Sequence, residues 1–183
     1  MFQPLTTYTG DRRVGDHERA ERDTPGGRRH YYAELLVEHS PEAVWEFFVD
    51  FNSWTTWSPV CRGCRLSDER GKLQLGGVLE ISSAVFGITF TAAATIVEFE
   101  PPTRITWRAE KWGIRSSHSY RFLPRAGGTL LCNEEIFSGV WFPFSALMGP
   151  WYRATDFSRR SLEGMKRELA RRTNGRVGAV ARP

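Results

Sequence analysis

Apolar and polar residues alternate with a period of two along seven short stretches of the chain, a pattern typical of strands that bury one face. The first stretch begins at His30 and ends before Ser40. The six later strands are predicted at residues 60–68, 72–85, 88–98, 104–111, 115–123 and 129–137. Short pairs containing Gly or Pro separate them, which favours an antiparallel meander over parallel strands joined by crossovers.

Two short helices are predicted between the first and second strands. Ser40 supplies an N-cap hydroxyl, and Pro41 suits the first helical position. The apolar stripe of this helix consists of Val44, Phe47, Phe48 and Phe51. A second short helix at residues 52–58 is capped by Asn52 or Ser53 and ends before Pro59.

A long helix is predicted at about residues 144–172, with a kink near Pro150. Its apolar stripe at helical spacing consists of Phe144, Met148, Trp151, Thr155, Leu162, Met165 and Leu169. A helix of this length needs a cover along the whole stripe, and a strongly curved sheet is the simplest one. The pattern therefore predicts an α+β fold in which a curved antiparallel seven-stranded sheet wraps around a long C-terminal helix.

The 183 residues suffice for one domain, which we place at residues 30–173. Residues 1–29 are rich in charge and glycine and poor in apolar anchors, so we expect a disordered or loosely attached tail. Residues 174–183 are expected to form a flexible C-terminal tail. Aromatic residues make up 13% of the chain, which fits either a packed aromatic core or a partly open interior lined by aromatics.

The formal net charge of +4 is concentrated at the end of the chain, where residues 151–183 carry nine Lys or Arg and three Asp or Glu. The arginines of the predicted helix are Arg153, Arg159, Arg160, Arg167, Arg171 and Arg172. Such a face either contacts phosphate or anionic lipid or forms the solvated side of an amphipathic helix. We favour the solvated side, which leaves peripheral membrane contact open.

The three cysteines and the charged N-terminus, without an apolar signal region, predict a reduced, cytoplasmic protein. The uncharged stretches at residues 81–97 and 136–152 are shorter than the ~20 residues of a membrane-spanning helix, so no transmembrane segment is expected. The protein is expected to be a monomer or a homodimer.

Four local motifs carry a resemblance to a known superfamily. They are Ser40-Pro41-Glu42-Ala43-Val44-Trp45 before Phe47, Ile105-Thr106-Trp107-Arg108, His118-Ser119-Tyr120-Arg121-Phe122-Leu123-Pro124, and Gly128-Thr129 leading to Glu135-Ile136-Phe137-Ser138-Gly139. In this order the chain from about residue 30 to 172 resembles START-like (SRPBCC) proteins, in particular bacterial polyketide cyclase/dehydrase-type members. The resemblance implies a helix-grip fold and an internal cavity. Members of the superfamily include lipid carriers, hormone binders and aromatase/cyclases, so fold alone leaves the function open.

We expect the cavity to bind a small hydrophobic molecule that is lipid-like, aromatic or polyketide-like. The expected ligand-binding residues are Trp57, Phe90, Trp107, His118, Tyr120, Phe122, Asn133, Glu135, Phe137, Phe144, Met148, Trp151 and Thr155. The mouth is expected where residues 138–151 meet the Phe86-Gly87 and Trp112-Gly113 turns. No cofactor or metal is expected.

His118 and Glu135 are candidate catalytic residues. Each lies an even number of residues from the aromatic residues of its strand, so its side chain is expected on the same face of the sheet as those aromatics. Desolvation in an apolar cavity would suit a His and a Glu to general base and acid roles. The enzyme alternative is therefore a polyketide cyclase, aromatase or dehydratase. A structural alternative pairs Glu135 with Arg121 or Arg108, while His118 bonds to a neighbouring carbonyl.

Three further alternatives have weaker support. Cys61-Arg62-Gly63-Cys64 could hold zinc with Cys132 and His118, but only if Gly63 forms a bulge that turns both thiols to one side. A nucleic-acid surface is disfavoured, because alternation puts each aromatic and its neighbouring Arg on opposite faces. A protein-interaction module would have a cavity filled by its own side chains.

Overall fold

The computed structural model describes residues 20–24, 28–67, 71–85, 88–139 and 154–180. The elements are β1 (Ala20–Thr24), β2 (Arg28–Val37), α1 (Pro41–Val49), a 3₁₀ turn (Phe51–Ser53), α2 (Trp54–Trp57), β3 (Cys61–Leu66), β4 (Val78–Val85), β5 (Ile88–Glu100), β6 (Arg104–Lys111), β7 (Ile114–Arg125), β8 (Gly128–Gly139) and α3 (Ala154–Val180).

The described strands form one antiparallel sheet in the order β1-β2-β8-β7-β6-β5-β4-β3. Strands β3 to β8 follow one another as a meander, and β2 joins the sheet beside β8. The sheet curls around α3, which packs on β2, β8 and the short helices. This arrangement confirms the predicted curved sheet with its long C-terminal helix, and all seven predicted strands are present.

The structure differs from the sequence prediction at three element boundaries. Strand β1 adds an eighth strand inside the segment expected to be a loose tail, where Ala20 pairs with Tyr32 and Thr24 with Arg28. Strand β4 begins at Val78 rather than at residue 72, because Gly76 adopts φ +80° and the Gly77 N–H donates to the Gln74 carbonyl in a turn. Helix α3 continues into the predicted C-terminal tail. Residues 144–153, with the predicted kink at Pro150, lie outside the described residues.

Helix α1 begins where the sequence predicts. The Ser40 hydroxyl accepts a hydrogen bond from the Ala43 N–H at 3.3 Å. Val44, Phe47 and Phe48 are buried on the predicted stripe. The Phe48 carbonyl accepts a 2.7 Å hydrogen bond from the Trp54 indole, which ties α1 to α2. These bonds fix a layer of aromatic rings above the concave face of the sheet.

Helix α3 has one buried face and one charged face. Leu162, Met165 and Leu169 are buried against the sheet and the short helices. On the exposed face, Arg159 pairs with Glu163 at 2.7 Å, and Glu168 accepts from Arg171 and Arg172. Arg159, Arg171 and Arg172 thus have acidic partners on the same helix.

A membrane-spanning helix is not found among the described residues, since none of their helices combines sufficient length with sufficient hydropathy.

Gly164 sets the distance between α3 and α2. A Cβ at this position would lie 2.1 Å from the Trp57 carbonyl oxygen, far inside van der Waals contact. Only a residue without a side chain allows the helix to approach the α2 backbone this closely. The contact holds the middle of α3 against Trp57.

Replacement of Gly164 by Ala is expected to lower the free energy of unfolding by about 2 kcal/mol, because forced overpacking outweighs the gain in helix propensity. Chemical denaturation measures the change. The control is Arg160→Ala on the exposed side of the same helix, which is expected to alter stability by less than about 0.5 kcal/mol. A Gly164→Ala variant as stable as the parent would contradict the close packing.

Candidate functional site

A cavity of about 190 Å³ lies between the concave face of the sheet and α3, and it is partly open to solvent. Its wall consists of Trp54, Trp57, Ser58, Val60, Cys61, Ile81, Ser83, Phe90, Ala92, Ala94, Trp107, Ala109, Ser116, Ser117, His118, Tyr120, Asn133, Glu135, Phe137, Phe157, Ser158 and Ser161. Aromatic rings and small side chains dominate this wall. The interior therefore contains unfilled space. A protein-interaction module of the kind considered above would instead have this space filled by its own side chains.

Small residues at inward-facing positions of the central strands create this space. Ala92 and Ala94 lie two residues apart on β5 and so face the same side of the sheet. Ala94 pairs with Ala109 on β6, and Ala109 pairs with Ser116 on β7. This row of short side chains cannot bridge the gap to α3, whereas Ile96, one inward position after Ala94, has a larger side chain and does not line the cavity.

The cavity is packed shut at one end and more open at the other. Ile105, Phe122 and Leu131 are fully buried in the packed half. The wall residues Phe90, Phe137 and Phe157 are only half-buried, and they lie near the start of β5, the end of β8 and the start of α3. The opening is therefore at this end. Residues 140–151 and Phe86-Gly87, predicted parts of the mouth, lie outside the described residues.

His118, Glu135 and Asn133 form a hydrogen-bonded group on the cavity wall. His118 of β7 lies directly opposite Glu135 of β8, and its Nδ1 is 2.8 Å from Glu135 Oε1. Its Nε2 is 2.6 Å from Asn133 Oδ1. The side chains of His118 and Glu135 are 19% and 20% exposed, and Asn133 is fully enclosed. The group is thus a buried, fixed source of hydrogen-bonding atoms in a mainly apolar space.

Two aromatic rings hold the His118 imidazole in place. Tyr120 stacks on it with ring centroids 4.9 Å apart, and Trp107 lies 4.7 Å away at 45°. Burial, and secondarily the charge of Glu135, raise the pKa of the Tyr120 phenol well above its usual value, so this hydroxyl stays protonated. The imidazole is therefore confined both in its plane and on its faces.

Serine hydroxyls add further polar atoms where the two helices meet the cavity. Ser58 Oγ lies 3.4 Å from Ser161 Oγ, and Ser158 is buried on the same face of α3. Ser83 and Ser116 provide hydroxyls on the sheet side. The cavity thus combines apolar rings with a limited set of neutral polar groups.

The cysteines are buried and lack the pattern of a metal site. The register shifts between Cys61 and Gly63, and this bulge puts Cys61 and Cys64 both on the buried side of β3, as the zinc alternative required. In the part of the chain that the structure describes, however, no three His, Cys, Asp or Glu side chains are grouped to hold a metal. Burial raises the pKa of the thiols of Cys61, Cys64 and Cys132.

The outer face of the sheet carries a separate polar network. His30 Nε2 lies 2.7 Å from Glu134 Oε1, and this hydrogen bond lowers the pKa of the Glu134 carboxyl against the opposing effect of burial. Thr106 Oγ1 lies 2.6 Å from Glu98 Oε2 and 2.9 Å from Ser119 Oγ. Alternation puts these residues on the face opposite to the cavity.

The alternative in which Glu135 pairs with Arg121 or Arg108 is wrong. Arg108 and Arg121 occupy positions of the opposite parity on their strands and so project from the outer face, whereas Glu135 faces the cavity. The partner of Glu135 is His118, and His118 also contacts the side-chain carbonyl oxygen of Asn133. Asn133 supplies an orienting group for His118 that was not assigned from the sequence.

Most of the expected ligand-binding residues that the structure describes come together on the cavity wall. These are Trp57, Phe90, Trp107, His118, Tyr120, Asn133, Glu135 and Phe137. Phe122 is an exception, because its ring packs 5.3 Å from both Trp45 and Phe48 in the solid half, away from the cavity. Phe144, Met148 and Trp151 lie outside the described residues, as does the side chain of Thr155.

The residues missed from the sequence are mainly the small ones, including Ala92, Ala94 and Ala109. The signal that identifies them is a run of Ala and Ser at every second position of neighbouring strands, on the face that carries the aromatics. Cys61, Phe157 and Ser161 gave no comparable signal, because their positions depend on a bulge and on the rotation of α3.

Comparisons with known proteins agree with this architecture. The family model described as polyketide cyclase / dehydrase and lipid transport matches residues 28–170. A search of curated proteins finds no significant match. The aromatase/cyclase Zhui from Streptomyces sp. R1128 superposes with a TM-score of 0.63 at 15% identity, covering 80% of this chain and 96% of that one.

Two further solved structures have the same fold. The di-domain aromatase/cyclase StfQ of the steffimycin biosynthetic pathway gives a TM-score of 0.64 at 12% identity, with 80% of this chain and 52% of that one covered. Major latex-like protein 151 from Panax ginseng gives 0.60 at 15% identity, covering 79% and 99%. Identities this low show a common fold.

Native Cys61, Cys64 and Cys132 are expected to react with iodoacetamide at least about tenfold more slowly than in the urea-unfolded chain near pH 8. The reason is that alkylation requires an accessible thiolate, and burial disfavours that form. Mass spectrometry of alkylated peptides gives the three rates separately. A native rate equal to the unfolded rate at Cys61 would show that this part of the wall is open to solvent.

Proposed function

The chain belongs to the polyketide cyclase / dehydrase and lipid transport family, and we propose that it binds a small hydrophobic molecule in the cavity between the sheet and α3. The observation that carries this proposal is the row of Ala92, Ala94, Ala109 and Ser116 beneath an aromatic wall. A core selected only for stability would fill such positions to native packing density.

The size of the cavity favours a compact ligand. An apolar cavity of about 150 Å³ holds one benzene molecule, so a volume of about 190 Å³ fits one ring or two fused rings. An extended acyl chain would require additional space beyond the described wall. We therefore propose a flat aromatic ligand lying among Trp57, Trp107 and Phe137.

The apolar wall alone supports only weak binding. Burying about 250 Å² of ligand surface contributes about 6 kcal/mol at ~25 cal/mol/Å². Association costs about 4 kcal/mol or more in lost freedom of motion. Tight binding therefore requires polar contacts as well, and His118, Glu135 and Asn133 are the cavity groups best placed to affect it.

Filling the cavity is expected to abolish binding of naphthalene, used here as an apolar probe. Ala92→Phe puts a ring into the space on the inward face of β5, and we expect at least a tenfold loss of affinity. The matched control is Ala93→Phe, because Ala93 is the next residue on the same strand and is exposed on the outer face. Chemical-shift titration of the tryptophan indole N–H signals measures both affinities. No binding to the parent protein, or equal losses in the two variants, would contradict the proposal.

A second candidate function is acid/base catalysis on the bound molecule, such as cyclisation or dehydration. The observation that favours it is the 2.8 Å contact between His118 and Glu135 within the cavity, with Asn133 on the other ring nitrogen. An orienting residue on the far side of an imidazole is a usual feature of acid/base sites. Zhui and StfQ, both aromatase/cyclases, share the fold.

The catalytic candidate is tested with a one-ring β-hydroxy ketone, 4-hydroxy-4-phenylbutan-2-one. A base removes the proton next to the carbonyl, and the hydroxyl leaves as water to give the conjugated enone, which is followed by its absorbance. If the site is catalytic, the parent protein accelerates this reaction and Glu135→Gln lowers the rate at least about 100-fold. A parent rate equal to that of buffer would leave the protein a binder without this activity.

A further inference from the structure

The His118 imidazole has no nitrogen left for a ligand. Nδ1 is engaged by Glu135 Oε1 and Nε2 by Asn133 Oδ1. If the Asn133 amide were turned over, its NH₂ group would donate to the Nε2 lone pair instead. Nε2 is occupied in either orientation, so a ligand could reach His118 only after one of these bonds breaks.

Glu135 differs from His118 because only one of its carboxylate oxygens is used. Oε1 contacts His118, and Oε2 makes no hydrogen bond with any residue that the structure describes. Glu135 is on the cavity wall and is 20% exposed. A carboxylate oxygen accepts hydrogen bonds and cannot donate them, so Oε2 presents an acceptor to the cavity.

We propose that Glu135, rather than His118, contacts the polar group of the ligand, and that the ligand is an uncharged aromatic molecule carrying a hydroxyl group. This inference rests on the proposed binding function. In it the ligand hydroxyl donates a hydrogen bond to Glu135 Oε2. His118 and Asn133 are positioning residues that hold the carboxylate in one orientation.

The charge of the wall selects against acidic ligands. No Lys or Arg is present among the described residues that line the cavity. A ligand carboxylate would therefore meet the Glu135 carboxylate with no Lys or Arg of the described wall to balance it, in an environment where charges are poorly screened. The hydroxyl of Tyr120 and the serine hydroxyls supply neutral partners only.

A hydrogen bond to Glu135 also separates a hydroxylated ring from a plain ring of similar size. Without a donor on the ligand, Oε2 loses any water that the ligand displaces and gains nothing in return. The preference for the hydroxylated molecule is then a property of one side chain, and it can be removed without closing the cavity.

Three probes of one shape test the inference near neutral pH, namely naphthalene, 2-naphthol and 2-naphthoate. In titrations of the parent protein we expect 2-naphthol to bind about tenfold more tightly than naphthalene and 2-naphthoate at least about tenfold more weakly than 2-naphthol. Binding of none of the three would overturn the proposed function itself. Equal binding of naphthalene and 2-naphthol, or tightest binding of 2-naphthoate, would overturn only the role of Glu135.

Variants assign the selectivity to Glu135. Glu135→Gln is expected to reduce the preference for 2-naphthol over 2-naphthoate about tenfold or more, while naphthalene affinity stays within about twofold. The matched control is Glu134→Gln, the adjacent residue on the outer face, where the carboxylate pairs with His30. It should leave all three affinities unchanged. An equal loss of selectivity in both variants would contradict the assignment.

His118→Phe tests the positioning role. The phenyl ring keeps the stacking against Tyr120 and Trp107 but loses both hydrogen bonds. We expect the advantage of 2-naphthol over naphthalene to fall several-fold while naphthalene affinity is retained. A purely structural defect would weaken all probes alike, and an unchanged 2-naphthol advantage would show that Glu135 needs no orienting partner.

Discussion

The structure depends on a mismatch between the curvature of the sheet and the size of its inward side chains. The sheet curls around α3, and Gly164 holds the helix against the Trp57 backbone. Along β5 and β6 the inward positions near the open end are Ala92, Ala94 and Ala109, which are too short to reach the helix. Large residues such as Phe122 fill the other half. One sheet therefore supplies both a solid core and an open cavity.

The two faces of the sheet keep their polar groups apart. Glu134 and Glu135 are neighbours in sequence, yet one pairs with His30 on the outer face and the other with His118 in the cavity. The outer pair is part of a network that includes charged arginines nearby. Among the residues that the structure describes, the neighbours of the inner pair are Asn133 and the rings of Trp107 and Tyr120. This difference in surroundings separates the cavity carboxylate Glu135 from its outer-face neighbour Glu134.

The sequence alone predicted the strands, the N-cap of the first helix and the face of the sheet on which each strand residue lies. These features follow from alternation and from helix end signals, which are local in the sequence. Parity correctly put His118, Tyr120, Asn133 and Glu135 on one wall. Parity could not distinguish these wall residues from Phe122, which lies on the same face of the sheet. Which residues of that face are packed over depends on where α1 lies along the strands. The partner of Glu135 and the pairing of β1 are likewise long-range outcomes. The small wall residues were not assigned from the sequence. A cavity forms where side chains are short, and the prediction considered only large and polar side chains.

Ligand binding requires open space beside Ala92, Ala94 and Ala109. A crystal structure determined under xenon pressure would reveal that space, because xenon enters apolar cavities without needing a specific contact. A xenon atom is expected within van der Waals distance of Ala92, Ala94 and Ala109. A sheet and helix in direct contact there, with no xenon bound, would contradict this expectation.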